Sequence, residues 1–142
     1  MTPYGGLTID VNQGKLLYQV AHGDTPDAIR NNPRLQGLTV PKTGQGGSVG
    51  IMVTKTMLVS GDPQITAPPG RQRGAMLRAY DKPTGNQIGE VLMPAPISGS
   101  PMTYSIDGRQ YIIVAVSGGN YTGEYIAFRL PASELPKPTT RQ

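Results

Sequence analysis

Apolar residues in this chain come in short runs that alternate with polar positions and are cut repeatedly by glycine and proline, the period of two expected of half-buried strands. The best ordered stretch is 76–119, which reads as two successive hairpins. In the second, MTYSI and RQYIIVAV flank Asp107-Gly108, and an Asp-Gly pair supplies the positive φ angles that a two-residue type I′ turn requires. In the first, a strand ending in Ala79-Tyr80-Asp81 turns through Lys82-Pro83-Thr84-Gly85 and returns over 88–93. Asp81 can bond the backbone two residues ahead, Pro83 presets its own φ, and Gly85 tolerates the left-handed conformation that closes the loop.

Residues 7–11 and 15–20 form a similar pair around Asn12-Gln13-Gly14. Thr8, Asp10, Gly14 and Tyr18 align at equal spacing with Ala79, Asp81, Gly85 and Gly89, which marks an internal repeat. Between the repeats, 21–47 is polar and broken by Pro26, Pro33 and Pro41. Residues 24–30 are predicted to hold one helical turn, with Thr25 as N-cap and Pro26 at the first helical position. The rest of that segment is expected to be a long loop covering one face.

Strands are predicted at 49–54 and 57–60, hinged at Lys55-Thr56, followed by a second loop over 61–74. A last strand is expected over 125–130, then a flexible tail at about 132–142. No window carries a convincing 3.6-residue period, so little helix is expected. This run of strand pairs predicts an all-β fold of antiparallel β-propeller-type blades, each a four-stranded sheet of roughly 40 to 50 residues. The chain, 1–142, then holds half a blade, one whole blade and most of a third, in a single partial propeller domain.

Composition narrows the chemistry. The 19 glycines and 14 prolines punctuate runs rich in Val, Ile, Thr and Tyr, as in a turn-rich β protein. With no cysteine there is no disulfide, thiolate metal site or cysteine nucleophile. The net charge of +4 comes from scattered Lys and Arg, and with no Trp and one Phe the chain offers neither the basic stripe nor the stacking aromatics of a nucleic-acid groove. The apolar run 111–116 is far too short to span a bilayer. MTPYGGLTID has neither a charged n-region nor an apolar h-region, so no export signal is expected there.

Ala79, Asp81, Thr84 and Gly85 fit the motif Ala-x-Asp-x-x-Thr-Gly-x-x-x-Trp, and in this the chain resembles the tryptophan-docking blades of quinoprotein dehydrogenases that use pyrroloquinoline quinone (PQQ). Pro3-Tyr4-Gly5, GDTPD at 23–27, MVTKT at 52–56, LRAYDKPTG at 77–85 and PMTYSIDGRQYIIVAVSGG at 101–119 look like the C-terminal blades of a glucose or alcohol dehydrogenase of this kind. The resemblance covers residues 3 to about 131. It implies an eight-bladed parent propeller of which this chain supplies two to three blades, a periplasmic family, and oxidation of sugars or alcohols. Two departures stand out: Tyr18 and Gly89 occupy the positions of the docking tryptophan, which weakens the expected stacking between blades, and the missing blades leave sheet edges open.

The resemblance also implies a quinone on the propeller axis beside a calcium ion, with an aspartate as base and most of these ligands on blades that this chain lacks. No catalytic residue and no metal ligand is therefore assigned here. Asp62 is the one carboxylate to consider near the cofactor, although turn preferences favour reading it as a turn residue before Pro63. Arg71 and Arg73 are candidates to face a quinone carboxylate, or simply solvated loop arginines.

Gly46-Gly47-Ser48-Val49-Gly50 matches a nucleophile-elbow string, but a strand follows Ser48 where that motif needs a helix. His22, the single histidine, reads as a surface loop residue. Tyr104, Tyr111, Tyr121 and Tyr125 read as packing residues. Expected partners are the remaining blades or further copies of the chain. The rival to a catalytically silent piece of a dehydrogenase is a free-standing β module that assembles through open sheet edges.

Overall fold

The computed structural model describes residues 5–131. The flexible tail expected at 132–142 and the Pro3-Tyr4 part of the resemblance lie outside the described residues. Among the described residues nine strands form three antiparallel meanders, and helix is confined to one four-residue turn, α1 (Asp27–Arg30), and a 3-10 turn at Pro33–Leu35. The first sheet pairs β1 (Gly5–Asp10) with β2 (Lys15–Ala21). The second runs in order through β3 (Ile51–Val53), β4 (Met57–Gly61), β5 (Ala75–Asp81) and β6 (Gln87–Met93). The third comprises β7 (Met102–Ile106), β8 (Arg109–Gly118) and β9 (Tyr121–Arg129). Sheets of two, four and three strands are the half, whole and three-quarter blades that the pattern predicts.

The repeat is present in the geometry as well as in the letters. Thr8 faces Tyr18 and Ala79 faces Gly89, and in both pairs the register slips just after the first-named residue. Asp10 Oδ1 accepts from the backbone N–H of Asn12 at 2.9 Å and of Gln13 at 3.2 Å. Asp81 Oδ2 accepts from the Thr84 N–H at 3.1 Å and the Thr84 hydroxyl at 2.6 Å, three residues ahead rather than two. Gly14 and Gly85 both adopt positive φ, 62° and 74°. Asp107 and Gly108, at φ 51° and 72°, form the expected two-residue turn between Ile106 and Arg109.

Several boundaries move for local reasons. β3 is three residues long because Thr54 already begins the turn, its Oγ1 accepting from the Met57 N–H at 2.9 Å. β9 starts four residues earlier than expected because Gly118 and Gly119 take positive φ and Gly118 pairs directly with Tyr121. The helical turn forms with Pro26 as N-cap, while Thr25 Oγ1 accepts instead from the Thr43 N–H at 3.2 Å.

The main core lies between the second and third sheets. Met52, Val59, Leu77 and Met93 from one meet Val114 and Val116 from the other, with Ile112, Ile126 and Phe128 packed against them. On β5 the residues alternate across the sheet: Ala75, Leu77 and Ala79 face this core, and Met76, Arg78 and Tyr80 face the opposite way. That opposite face carries the polar site. Arg30 Nη1 donates to the Ala67 carbonyl at 2.8 Å and the Ala67 N–H donates to Asp27 at 3.1 Å, tying the two long loops together beside it.

Candidate functional site

Arg78 is the centre of the polar site. Its side chain is 1% exposed and all five of its N–H donors have an acceptor. Nε and Nη2 grip the two oxygens of Asp62 at 2.7 and 2.8 Å. Nη2 also donates to Asp24 at 2.7 Å, and Nη1 to Glu90 at 2.8 Å and Gln87 at 3.2 Å. Burial works against the charge, but the hydrogen bonds and charges of Asp62 and Asp24 override it and raise the Arg78 pKa. Asp62 follows β4, and its backbone is pinned from both sides: its N–H donates to the Met76 carbonyl and its carbonyl accepts from the Ile97 N–H.

Of the sequence candidates, then, Asp62 is fully buried with both carboxylate oxygens engaged by one guanidinium. Arg71 joins the edge of the same cluster, contacting Glu90 and lying 3.9 Å from Asp24. Arg73 stands apart, 66% exposed and 3.7 Å from Asp27. Arg78 was not singled out from sequence, although an arginine in the middle of the apolar strand MLRAYD is a signal that buried acids must answer.

His22 is a correction: it is buried, not a surface residue. Nε2 donates to the Gly61 carbonyl at 2.9 Å, which leaves Nδ1 to accept from the Tyr80 hydroxyl at 2.9 Å. Burial is the largest cause raising the Tyr80 phenol to about 12. These two residues, with Tyr18, Gln45, Ser48 and Ser60, line a cleft of about 430 Å³ between the first and second sheets. Ser48 is in the cleft, but no hydrogen bond from its hydroxyl to His22 is seen and β3 follows it, so no nucleophile elbow forms. Tyr104 and Tyr111 stack at 5.2 Å, whereas Tyr125 is 78% exposed, against the packing role expected of it.

Chemically the cluster is saturated. Asp24, Asp62 and Glu90 converge, but on a guanidinium, which leaves no room for a cation among them. No group of three His, Cys, Asp or Glu among the described residues is placed to hold a metal ion. A calcium cage of six to eight oxygens is thus not formed here, and the arginines that could meet a quinone carboxylate already face Asp24, Asp27, Asp62 and Glu90. The described residues do not by themselves fit either group.

The first and second sheets are joined by a contact that involves Tyr18. It crosses from β2 to the turn between β5 and β6, where its hydroxyl donates to the Lys82 carbonyl at 2.7 Å and its ring lies against Gly85. The expected weakening of this stacking is therefore met by a tyrosine that keeps both a ring contact and a hydrogen bond. At the equivalent position, Gly89, nothing lies within 4 Å of where a Cβ would be.

Successive antiparallel sheets packed face to face, latched from the side chain of one to the turn of the next, define a stretch of β-propeller. The family described as glucose/ethanol/alcohol dehydrogenase, beta-propeller domain, which uses PQQ, matches residues 1–112, and the chain belongs to that family. It is 27% identical over 87% of its length to quinoprotein glucose dehydrogenase A of Acinetobacter calcoaceticus and 29% identical over 94% to the glycerol dehydrogenase large subunit of Gluconobacter thailandicus. Over a shorter stretch, 39% of the chain, it is 37% identical to the quinoprotein glucose dehydrogenase of Escherichia coli K12. The chain spans only 15%, 17% and 8% of those proteins' lengths. No solved structure matches it at a significant level. No helix among the described residues is long and apolar enough to cross a membrane.

Proposed function

We infer that this chain forms propeller blades of a PQQ-dependent sugar or alcohol dehydrogenase and is catalytically silent by itself. The observation that carries the reading is the state of Asp62: the carboxylate best placed by sequence to approach the cofactor is buried against Arg78 and holds the blade together instead. The quinone, its calcium ion and the base that takes the substrate proton are then supplied by other blades. When bound, the quinone would accept the two electrons of the oxidation. This chain contributes rigid sheets and the loops 22–50 and 61–74. The test is titration of the chain with PQQ and calcium followed by a dye-linked assay with glucose, glycerol and short alcohols. No saturable turnover is expected, and turnover above the free quinone would overturn the reading.

A second reading is favoured by one observation. The outer edge of β9 has no partner strand among the described residues, and its Tyr125 is exposed. An open edge of this kind accepts a strand from another chain. Sedimentation separates the two: a discrete dimer or tetramer supports assembly through the edge, and a strict monomer at high concentration removes it.

A further inference from the structure

We propose that the cavity beside Gly89, between the second and third sheets, is a binding site for a neutral planar aromatic molecule the size of indole. The argument is internal to the chain. Tyr18 and Gly89 occupy the same place in two hairpins of matching register, each opposite the first residue of its repeat and beside the same slip. Tyr18 sends a ring from one sheet to the next. Gly89 sends nothing, leaving open space where a side chain would stand, and it borders a cavity of about 520 Å³, within the range of small-molecule pockets.

Its walls come from both sheets. Met52, Val59, Leu77 and Gly89 lie along one side, and Ile112 and Phe128 face them. Met52 pairs with Val59, Val59 with Ala79 and Ala79 with Gly89, so one row of small and apolar groups runs straight across the sheet beneath the gap. Packed sheets stand roughly 10 Å apart, so a gap left between them is a slot and not a sphere. A flat ring fills a slot of that kind, and although Glu90 and Arg129 also border it, the lining is mostly apolar, which favours a neutral ligand over a charged one whose desolvation is not repaid. Gln110 also lines the cavity, and its side chain can offer an amide oxygen to an N–H or O–H at the ligand's edge. The site does not depend on the chain ever meeting a quinone.

The experiment is titration of the full chain with indole, observed through side-chain methyl resonances. Saturable shifts at Met52, Leu77 and Ile112, with a melting temperature that climbs as indole is added, are expected. Gly89→Leu and Gly89→Trp should each weaken indole binding by about tenfold or more, because either side chain occupies the slot. Gly89→Trp also introduces the sole tryptophan of the chain, and its emission should be blue-shifted as in an apolar setting. Absence of saturable shifts, shifts confined to the cleft around Tyr18, or a Gly89→Leu protein that binds indole unchanged would each overturn the proposal. Should both variants fail to fold, the methyl map of the unaltered chain decides alone.

Discussion

Asp62 presents both carboxylate oxygens to Arg78, at 2.7 and 2.8 Å, with neither residue reachable by solvent. A bidentate pair in this setting is stiff, and breaking it from one side strands a charge.

Replacing Asp62 with Ala should therefore destabilise the ligand-free chain by about 3 kcal/mol, toward the lower end for broken buried pairs because Asp24 and Glu90 remain beside the guanidinium. Urea melts without any cofactor measure this. An Asp62→Ala chain as stable as the parent would mean that the pair does not hold the blade, and would reopen a ligand role for Asp62. The exposed Arg73→Ala should change stability by less than about 0.5 kcal/mol in the same assay.

The Tyr18 latch separates into a hydrogen bond and a ring. Tyr18→Phe keeps the contact with Gly85 and loses the bond to the Lys82 carbonyl, which should cost about 0.5–1 kcal/mol at this partly exposed site. Tyr18→Ala loses both and should cost about 2 kcal/mol or more. If the two variants melt together, the ring contributes nothing and the first sheet is held by other contacts.

What the sequence disclosed was local. Asp10 with Gly14, Asp81 with Gly85, and Asp107 with Gly108 each carry their own turn geometry, so the hairpins and the repeat could be read without any tertiary information. Ends of strands were read less well, since β9 is lengthened by the two positive-φ glycines before it and β3 is shortened by the Thr54 turn. The polar cluster was out of reach. Asp24 and Asp62 meet Arg78 from 54 and 16 residues away, and His22 meets Tyr80 across 58, distances over which periodicity carries no signal. His22 read as a surface residue because its immediate neighbours are loop-like, and burial came from β4 and β5. Tyr18 was seen as a lost tryptophan because the motif counts residue types, whereas the fold needs a ring and a donor.

Gly14 and Gly85 allow a controlled comparison of backbone and packing. Both sit at positive φ, so an alanine at either position bears the left-handed penalty of roughly 1–2 kcal/mol. Around Gly14 nothing lies within 4 Å, but a Cβ on Gly85 would sit 2.5 Å from the Tyr18 ring. Gly85→Ala should therefore be the worse of the two by about 1 kcal/mol or more. Combining it with Tyr18→Ala should remove most of that excess, since the clashing ring is gone and only Val20 Cγ1, 2.9 Å from the added Cβ, remains to give way. A double-mutant cycle in chemical denaturation tests the point, and simple additivity would show that the ring does not press on the turn.

Alkaline pH should expose the buried Tyr80. Its phenol is raised from the ordinary 10 to about 12, chiefly by burial, so the folded chain holds this proton over an interval in which the unfolded chain has released it. A group whose folded pKa lies above its unfolded one contributes stability that is complete below the unfolded value and is lost as pH climbs toward the folded value. The window is thus pH 10 to 12, with the folded state losing ground throughout it. After allowance for partial solvent screening, the contribution is on the order of 1–2 kcal/mol. Other tyrosines and the lysines titrate in the same range, so the informative quantity is the difference from Tyr80→Phe, which keeps the ring, loses the hydrogen bond to His22 Nδ1 and cannot ionise. Below pH 9 the variant should be the less stable by about 1 kcal/mol, the worth of one buried hydrogen bond. Between pH 10 and 12 the unaltered chain should lose stability more steeply, and the two melting curves should converge. Parallel curves over that range would mean that Tyr80 titrates alike in the folded and unfolded chains, and that its hydroxyl is not sequestered beside His22.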